Sequence, residues 1–206
     1  RMIQTIYIER QVADHPRTRK ILARFPAAQQ IDCDRYTEIF NPKNQNFRLQ
    51  KQQPALIIAH KFGKRVLNAP EGYGVGGQHN YYFSHMLNCI YDCRYCFLQG
   101  MYRSAHYVLF INYDDFFTSM DHTLANHPSE DVWFFSGYDC DSLALDPVTG
   151  FAGHLLTFLE SRQRAFAELR TKSTQIRALL SVPAIPNAIV AFSLTPTETA
   201  DRFEHK

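Results

Sequence analysis

The feature that most constrains this chain is an alternation of element types through its second half. Residue periodicity predicts a helix over 114–125, a strand at 132–138, a helix over 153–165 and a strand at 167–171. A helix over 174–180, a strand at 188–193 and a helix opening after Pro196 continue the series. A helix inserted between two strands carries the chain back across the sheet, so the strands run parallel. Because such crossovers are right-handed, successive units coil in one direction. With a strand-like run at 81–87, the series builds either an open doubly wound sheet or an incomplete barrel.

Upstream the pattern is weaker. A polar, Arg-rich segment from Pro16 to Arg24 suits a helix, Asn41-Pro42-Lys43 marks a turn, and the apolar run Ala55–Ala59 suits a strand. The glycine-rich stretch from Pro70 to Gly77 reads as a loop. The expected organisation is therefore an N-terminal α/β extension over 1–77 followed by a parallel β-α core over 78–206. The sequence starts at Arg1 rather than Met and stops as another helix opens, which reads as a partial chain.

At 206 residues, 45% of them hydrophobic, the chain is long enough to bury a sizeable core. No apolar run approaches the roughly 20 residues that cross a bilayer, and the first residues lack the order of a secretory signal. The expectation is a cytoplasmic protein with no membrane partner. The net charge of +2 does not by itself argue for nucleic acid. Its distribution is uneven, however: Lys43, Arg48, Lys51, Lys61, Lys64 and Arg65 fall in a stretch from Ile39 to Pro70 without Asp or Glu. Such a stretch suits phosphate binding or simply a solvated surface.

The cysteines narrow the chemistry. There are five, an odd number, and Cys89, Cys93 and Cys96 lie within eight residues as C-x3-C-x2-C. That argues against a secreted disulfide framework and for reduced thiols holding a metal. Thiolates are soft ligands that favour iron-sulfur clusters or zinc, and a [4Fe-4S] cube has four irons to ligate. Three local cysteines leave one iron open, and an open iron can bind S-adenosylmethionine (AdoMet) and cleave it by electron transfer. The alternative is a zinc or electron-transfer module with a fourth ligand such as His85 or His106, although structural zinc sites more often use two C-x2-C pairs. Cys33, in IDCDRY, has no metal-ligand partners nearby in sequence and reads as incidental.

The three-cysteine spacing, with an aromatic residue before the third cysteine, resembles the radical AdoMet superfamily. The surrounding segments YYFSHMLNCIYDCRYCFLQGMY, GYDCDS, LRTKS and FSLTP resemble more particularly the spore photoproduct lyase family of DNA repair enzymes, over about Tyr81 to Pro196. The resemblance implies a partial (β/α) barrel of the radical AdoMet type. It implies a [4Fe-4S] cluster on Cys89, Cys93 and Cys96, with AdoMet as second cofactor. It also implies an external electron donor such as flavodoxin or ferredoxin and a thymine lesion in DNA as substrate. In the family a 5'-deoxyadenosyl radical removes a hydrogen from the lesion, and a cysteine outside the cluster returns one to the thymine radical. Cys140 occupies that cysteine's place, and a weak S–H bond suits the task. Ser142, Lys172 and Ser193 match polar family positions around AdoMet, where Lys172 could pair with the methionyl carboxylate. Without the resemblance, Cys140 reads as a small buried hydrophobe and Lys172 as a solvated lysine.

Two departures accompany the match. The family brackets its third cluster cysteine with two tyrosines that join the thiol in a radical relay; here Tyr95 precedes Cys96, but Phe97, without a hydroxyl, follows it. Tyr95 alone, a nearby tyrosine such as Tyr102, or a changed substrate would accommodate this. The aspartate expected shortly after the thiol motif is Leu143, flanked by Asp141 and Asp146.

Overall fold

The computed structural model describes residues 3–93 and 96–205. Its elements run β1 (Thr5–Glu9), α1 (Pro16–Leu22), β2 (Gln29–Cys33), α2 (Phe47–Gln52), β3 (Leu56–Ala59), β4 (Val66–Asn68) and β5 (His79–Phe83). They continue with β6 (Met86–Leu87), β7 (Asp92–Cys93), α3 (Leu98–Met101), β8 (Tyr107–Phe110), α4 (Tyr113–Ala125) and β9 (Val132–Ser136). The remainder is α5 (Asp146–Thr149), α6 (Phe151–Glu160), β10 (Ala165–Thr171), α7 (Arg177–Leu180), β11 (Ala188–Phe192), α8 (Thr197–Phe203) and β12 (Glu204–His205).

These elements divide into two compact units that interleave in sequence. The segment up to Lys61, Met86–Ile111 and the segment from Thr195 form the first; Phe62–His85 and Asn112–Leu194 form the second. Each unit is built on a five-stranded, mostly parallel sheet, and neither sheet closes into a barrel among the described residues. No helix among the described residues is long and apolar enough to cross a membrane.

In the first unit the strand order is β2-β1-β3-β8-β6, with only β6 antiparallel to its neighbour. Every residue of the central strands β3 (LIIA) and β8 (YVLF) is buried, as happens when both faces of a parallel sheet are covered. At the carboxyl end of β1, the buried carboxylate of Glu9 accepts the backbone N–H groups of Tyr36 (2.8 Å) and His60 (3.0 Å), stapling the segments that follow β2 and β3. Cys33 is buried beside acidic residues; burial and then the Glu9 charge push its thiol up to about 11. That environment makes it inert, in keeping with its reading as incidental.

In the second unit the order is β11-β10-β9-β5-β4, parallel except for β4. Tyr113, Phe116, Met120 and Leu124 give α4 one buried face at helical spacing. Phe117 stacks on Phe158 of α6 with ring centroids 4.9 Å apart. The guanidinium of Arg162 forks onto Asp121 (2.5 and 2.7 Å), and the Asn187 amide donates to the carbonyls of Leu159, Arg162 and Ala165 at the turn into β10.

The alternating series from residue 113 follows the expected order, with shifted ends: α6 stops at Glu160 and α7 starts only at Arg177. Two expectations change. The run at 81–87 is not one strand but two, β5 and β6, in different sheets. The interruption falls where the Ser84 hydroxyl donates to the Asp139 carboxylate and the His85 ring stacks on Phe151. The break expected at Gly77 is also not where the compact units divide: it lies inside the second unit, between β4 and β5, which pair with each other. The N-terminal strands β1–β3 do not form a separate extension, since β3 is paired by β8.

His85 carries a pH consequence. It is fully buried, its ring 4.0 Å from Phe151 and nearly parallel to it, and neither ring nitrogen has a hydrogen-bond partner. Burial pushes its pKa down from 6.5 to about 3. Above pH 6.5 both folded and unfolded chains hold it neutral. Below that, the unfolded chain takes up a proton that the folded one refuses, so stability falls by up to about 1.4 kcal/mol per pH unit. In urea unfolding, the loss between pH 7 and pH 5 is expected to be roughly 2 kcal/mol smaller for H85F than for the parent chain. Equal losses in both would contradict this account.

Candidate functional site

The cysteine loop belongs to the first unit. It leaves β6 through Asn88, whose φ of +72° lies in the left-handed region that Asn tolerates better than most residues. The side chain of Asn88 fixes this turn: its amide donates to the carbonyls of Ser104 (2.8 Å) and His106 (3.1 Å), and its oxygen accepts the Cys89 N–H (3.0 Å). The Tyr91 N–H points at Cys89 Sγ from 3.5 Å. Hydrogen bonds to ligand sulfur tune a bound cluster and favour the thiolate. Cys93 lies on β7, is 5% exposed, and pairs with Glu204 of β12. The Cys96 N–H closes a turn on the Cys93 carbonyl (3.0 Å), and α3 follows at once.

All five cysteines of the chain are outside any disulfide. Three thiols on one short loop, with a backbone N–H already directed at one sulfur, fit a soft-ligand cluster with an open iron. Of the histidines considered for a fourth ligand, His106 already accepts the Ala55 N–H at Nδ1 (2.9 Å), and burial lowers its pKa; His85 is a core residue of the second unit. Tyr95 lies outside the described residues. Phe97 is 57% exposed. Tyr102 packs on Phe40, centroids 5.1 Å apart.

The other expected site residues all belong to the second unit and sit at the carboxyl ends of its parallel strands, the edge at which α/β folds place ligands. β9 is followed by Gly137, φ +96°, where a Cβ would lie 2.7 Å from Ser142 Oγ and 3.0 Å from the Arg170 carbonyl. Only glycine allows both that backbone and that approach. The segment after it folds back against β10: Ser142 N–H donates to the Arg170 carbonyl (3.0 Å), and the buried Ser142 hydroxyl donates to Ser136 Oγ (3.0 Å). Cys140 is 5% exposed. Lys172 directly follows β10 and Ser193 directly follows β11, the Ser193 N–H donating to the Thr171 carbonyl (2.8 Å). Ser142 is thus a buried structural donor, Lys172 half-buried and Ser193 exposed.

The residue organising this edge is one that sequence reasoning weighed only as a neighbour. Asp141, 8% exposed, accepts four hydrogen bonds. One oxygen takes the N–H groups of Leu143 (3.0 Å) and Ala144 (2.8 Å) and the Thr171 hydroxyl (2.6 Å); the other takes the Lys172 N–H (2.7 Å). It ties the Cys140 loop to the end of β10 and fixes both Cys140 and Lys172 through their neighbours. Leu143, standing where the family has an aspartate, is fully buried. Before the thiol, Tyr138 packs on Tyr82 (4.7 Å) and edge-on to Tyr73 (5.6 Å), with Asp139 buried beside Ser84. The signal in sequence was the pair of aspartates bracketing Cys140, DCD, two residues after the glycine that follows β9.

Solved structures of the same fold are spore photoproduct lyases. One, complexed with dinucleoside spore photoproduct, superposes with a TM-score of 0.83 at 16% identity, covering 98% of this chain and 59% of that one. A variant with bound AdoMet and dinucleoside spore photoproduct matches with the same figures, and a tyrosine-to-phenylalanine variant with a TM-score of 0.84 at 17% identity. The chain therefore spans 59% of the length of these solved proteins. No curated protein matches it in sequence. The family model for spore photoproduct lyase matches residues 2–206, and the chain belongs to that family.

Proposed function

We propose that this chain carries the cluster-binding and AdoMet-binding part of a radical AdoMet lyase that reverses a thymine lesion in DNA. The observation that carries the reading is the loop of three thiols outside any disulfide, Cys89, Cys93 and Cys96, in a chain of the spore photoproduct lyase family. These cysteines would hold a [4Fe-4S] cluster, and its open iron would take AdoMet, which supplies the hydrogen-abstracting chemistry when bound. Lys172 would pair with the methionyl carboxylate, and Ser142 and Ser193 would complete the AdoMet-facing polar edge. Ser142 would do so mainly by holding the Cys140 loop, because its hydroxyl is already spent on Ser136.

Cys140 would return a hydrogen atom to the substrate radical, its S–H bond breaking as the thymine C–H bond forms. Its burial keeps that thiol from solvent oxidants. Tyr95 would restore Cys140, its O–H bond breaking as the Cys140 S–H bond re-forms, and would regain its own hydrogen atom from 5'-deoxyadenosine. The electron that starts each turnover would come from a flavodoxin or ferredoxin, and thiol ligands of this kind suit the reducing cytoplasm. The acid-poor stretch from Lys43 to Arg65 would contribute to phosphate binding.

A second reading keeps the cofactors and changes the substrate; Phe97, without a hydroxyl beside Cys96, favours it.

The test is anaerobic reconstitution with iron and sulfide, then electron paramagnetic resonance of the reduced protein with and without AdoMet, followed by turnover of dinucleoside spore photoproduct. A [4Fe-4S]+ signal that shifts with AdoMet is expected. C140A should keep that shift while losing formation of repaired thymines. Zinc in the cysteine loop with no such signal would discard the radical reading, and an AdoMet-dependent shift without repair in the parent chain would favour the second substrate class.

A further inference from the structure

At the opposite edge of the second sheet from Cys140, His79 opens β5 while His127 and Glu130 lie on the connection from α4 to β9. One donor atom from each falls within 4.8 Å of the others. Glu130 Oε2 is 2.9 Å from His79 Nε2 and 3.4 Å from His127 Nδ1. The two imidazoles stack, centroids 3.8 Å apart and 27° between planes.

His79 Nε2 is buried and close to the carboxylate, yet makes no hydrogen bond to it or to any other group. A cation shared by all three donors would satisfy this nitrogen.

The two oxygen–nitrogen separations suit it as well. Ligands about 2.0–2.1 Å from a metal stand roughly 2.9 Å apart at octahedral angles and 3.4 Å at tetrahedral ones. The surroundings hold the donors in place. The Tyr81 hydroxyl lies 2.8 Å from His127 Nε2, which leaves Nδ1 as the donor facing Glu130. Arg164 donates to the carbonyls of both His127 and Glu130, fixing the turn that carries them. A hydrogen-bonded second ring nitrogen is the usual support of a ligating histidine.

We propose that His79 Nε2, His127 Nδ1 and a Glu130 carboxylate oxygen bind a divalent transition-metal ion of the zinc class, with water completing the coordination. Two imidazoles and one carboxylate select zinc-like metals over calcium or magnesium. The ion joins the start of β5 to the α4–β9 turn. This site is independent of the cysteine loop in residues and in ligand chemistry.

The test uses the full chain after iron-sulfide reconstitution, loaded with Zn2+, passed through a desalting column and analysed for metal, with X-ray absorption at the zinc edge. About one retained zinc per chain is expected, with a nitrogen and oxygen shell at roughly 2.0–2.1 Å. E130Q and H79N should weaken zinc binding at least about tenfold in a competition titration, and Y81F by about tenfold. A sulfur shell near 2.3 Å, or equal zinc affinity in E130Q and the parent chain, would overturn the proposal. Failure here would leave the iron resonance signal of the cysteine loop unchanged, so the two readings fall separately.

Discussion

Alanine at Cys93 is expected to leave a chain that takes up little iron, shows no AdoMet-responsive resonance signal and repairs no lesion. With two thiols remaining on the loop, a second of the cube's four irons would lack a protein ligand, and a cluster held at one edge is labile. Cys93 is also the most buried of the three and sits in the β7–β12 pairing, so water is a poor substitute ligand there. Cys33 supplies the internal control. It is equally buried, but its thiol is pushed up to about 11, away from the thiolate that metals need, so C33A should keep the parent's iron content. Iron and sulfide analysis of both variants after identical reconstitution checks the expectation; full iron and a normal signal in C93A would refute the ligand assignment.

The second large effect is one of stability. Replacing Asp141 by alanine strips acceptors from three backbone N–H groups and the Thr171 hydroxyl in a nearly closed environment. Each orphaned buried donor costs about 1–3 kcal/mol, less where water enters the space left by the carboxylate. A net loss on the order of 3–5 kcal/mol is expected. Measured against the roughly 5–15 kcal/mol of a typical domain, that is a large fraction. The urea midpoint should fall accordingly. D141N keeps one acceptor oxygen but turns an NH2 group toward donors, so it should fall between the two. A midpoint for D141A within about 0.5 kcal/mol of the parent would show that the four hydrogen bonds are replaceable by water.

The parts of this molecule that were legible in the sequence are those governed by local rules. The β-α alternation from residue 113 onward was readable because each strand is short, apolar and followed by an amphipathic helix such as α4, whose buried residues recur at helical spacing. The cysteine loop was readable because its ligand spacing is contained in one segment. Less visible was anything that depends on pairing across the chain. β1 (TIYIE) and β8 (YVLF) were not read as strands, and they acquire their place by flanking β3. Tyr81–Leu87 looks like one strand because nothing local marks Ser84 and His85 as the point of divergence; that follows from Asp139 and Phe151, more than fifty residues on. Asp141 escaped notice for the same reason, since three of its partners are backbone groups that carry no residue identity.

The interleaving of the two units has a consequence for how the chain is made. A ribosome releases β4 and β5 before β6 and β8, so the first two strands of one sheet emerge while the other sheet is still short of strands. As an antiparallel pair, β4 and β5 can associate at once, but β5 then waits for β9 with one edge uncovered, long after the β3–β8 pairing has become available. Vectorial synthesis thus favours completion of the sheet beside the cysteine loop ahead of the sheet bearing Cys140. The order of maturation is written into the topology: the β3–β8 pairing comes first, the β5–β9 pairing of the other sheet follows, and the β7–β12 pairing at Cys93 comes last.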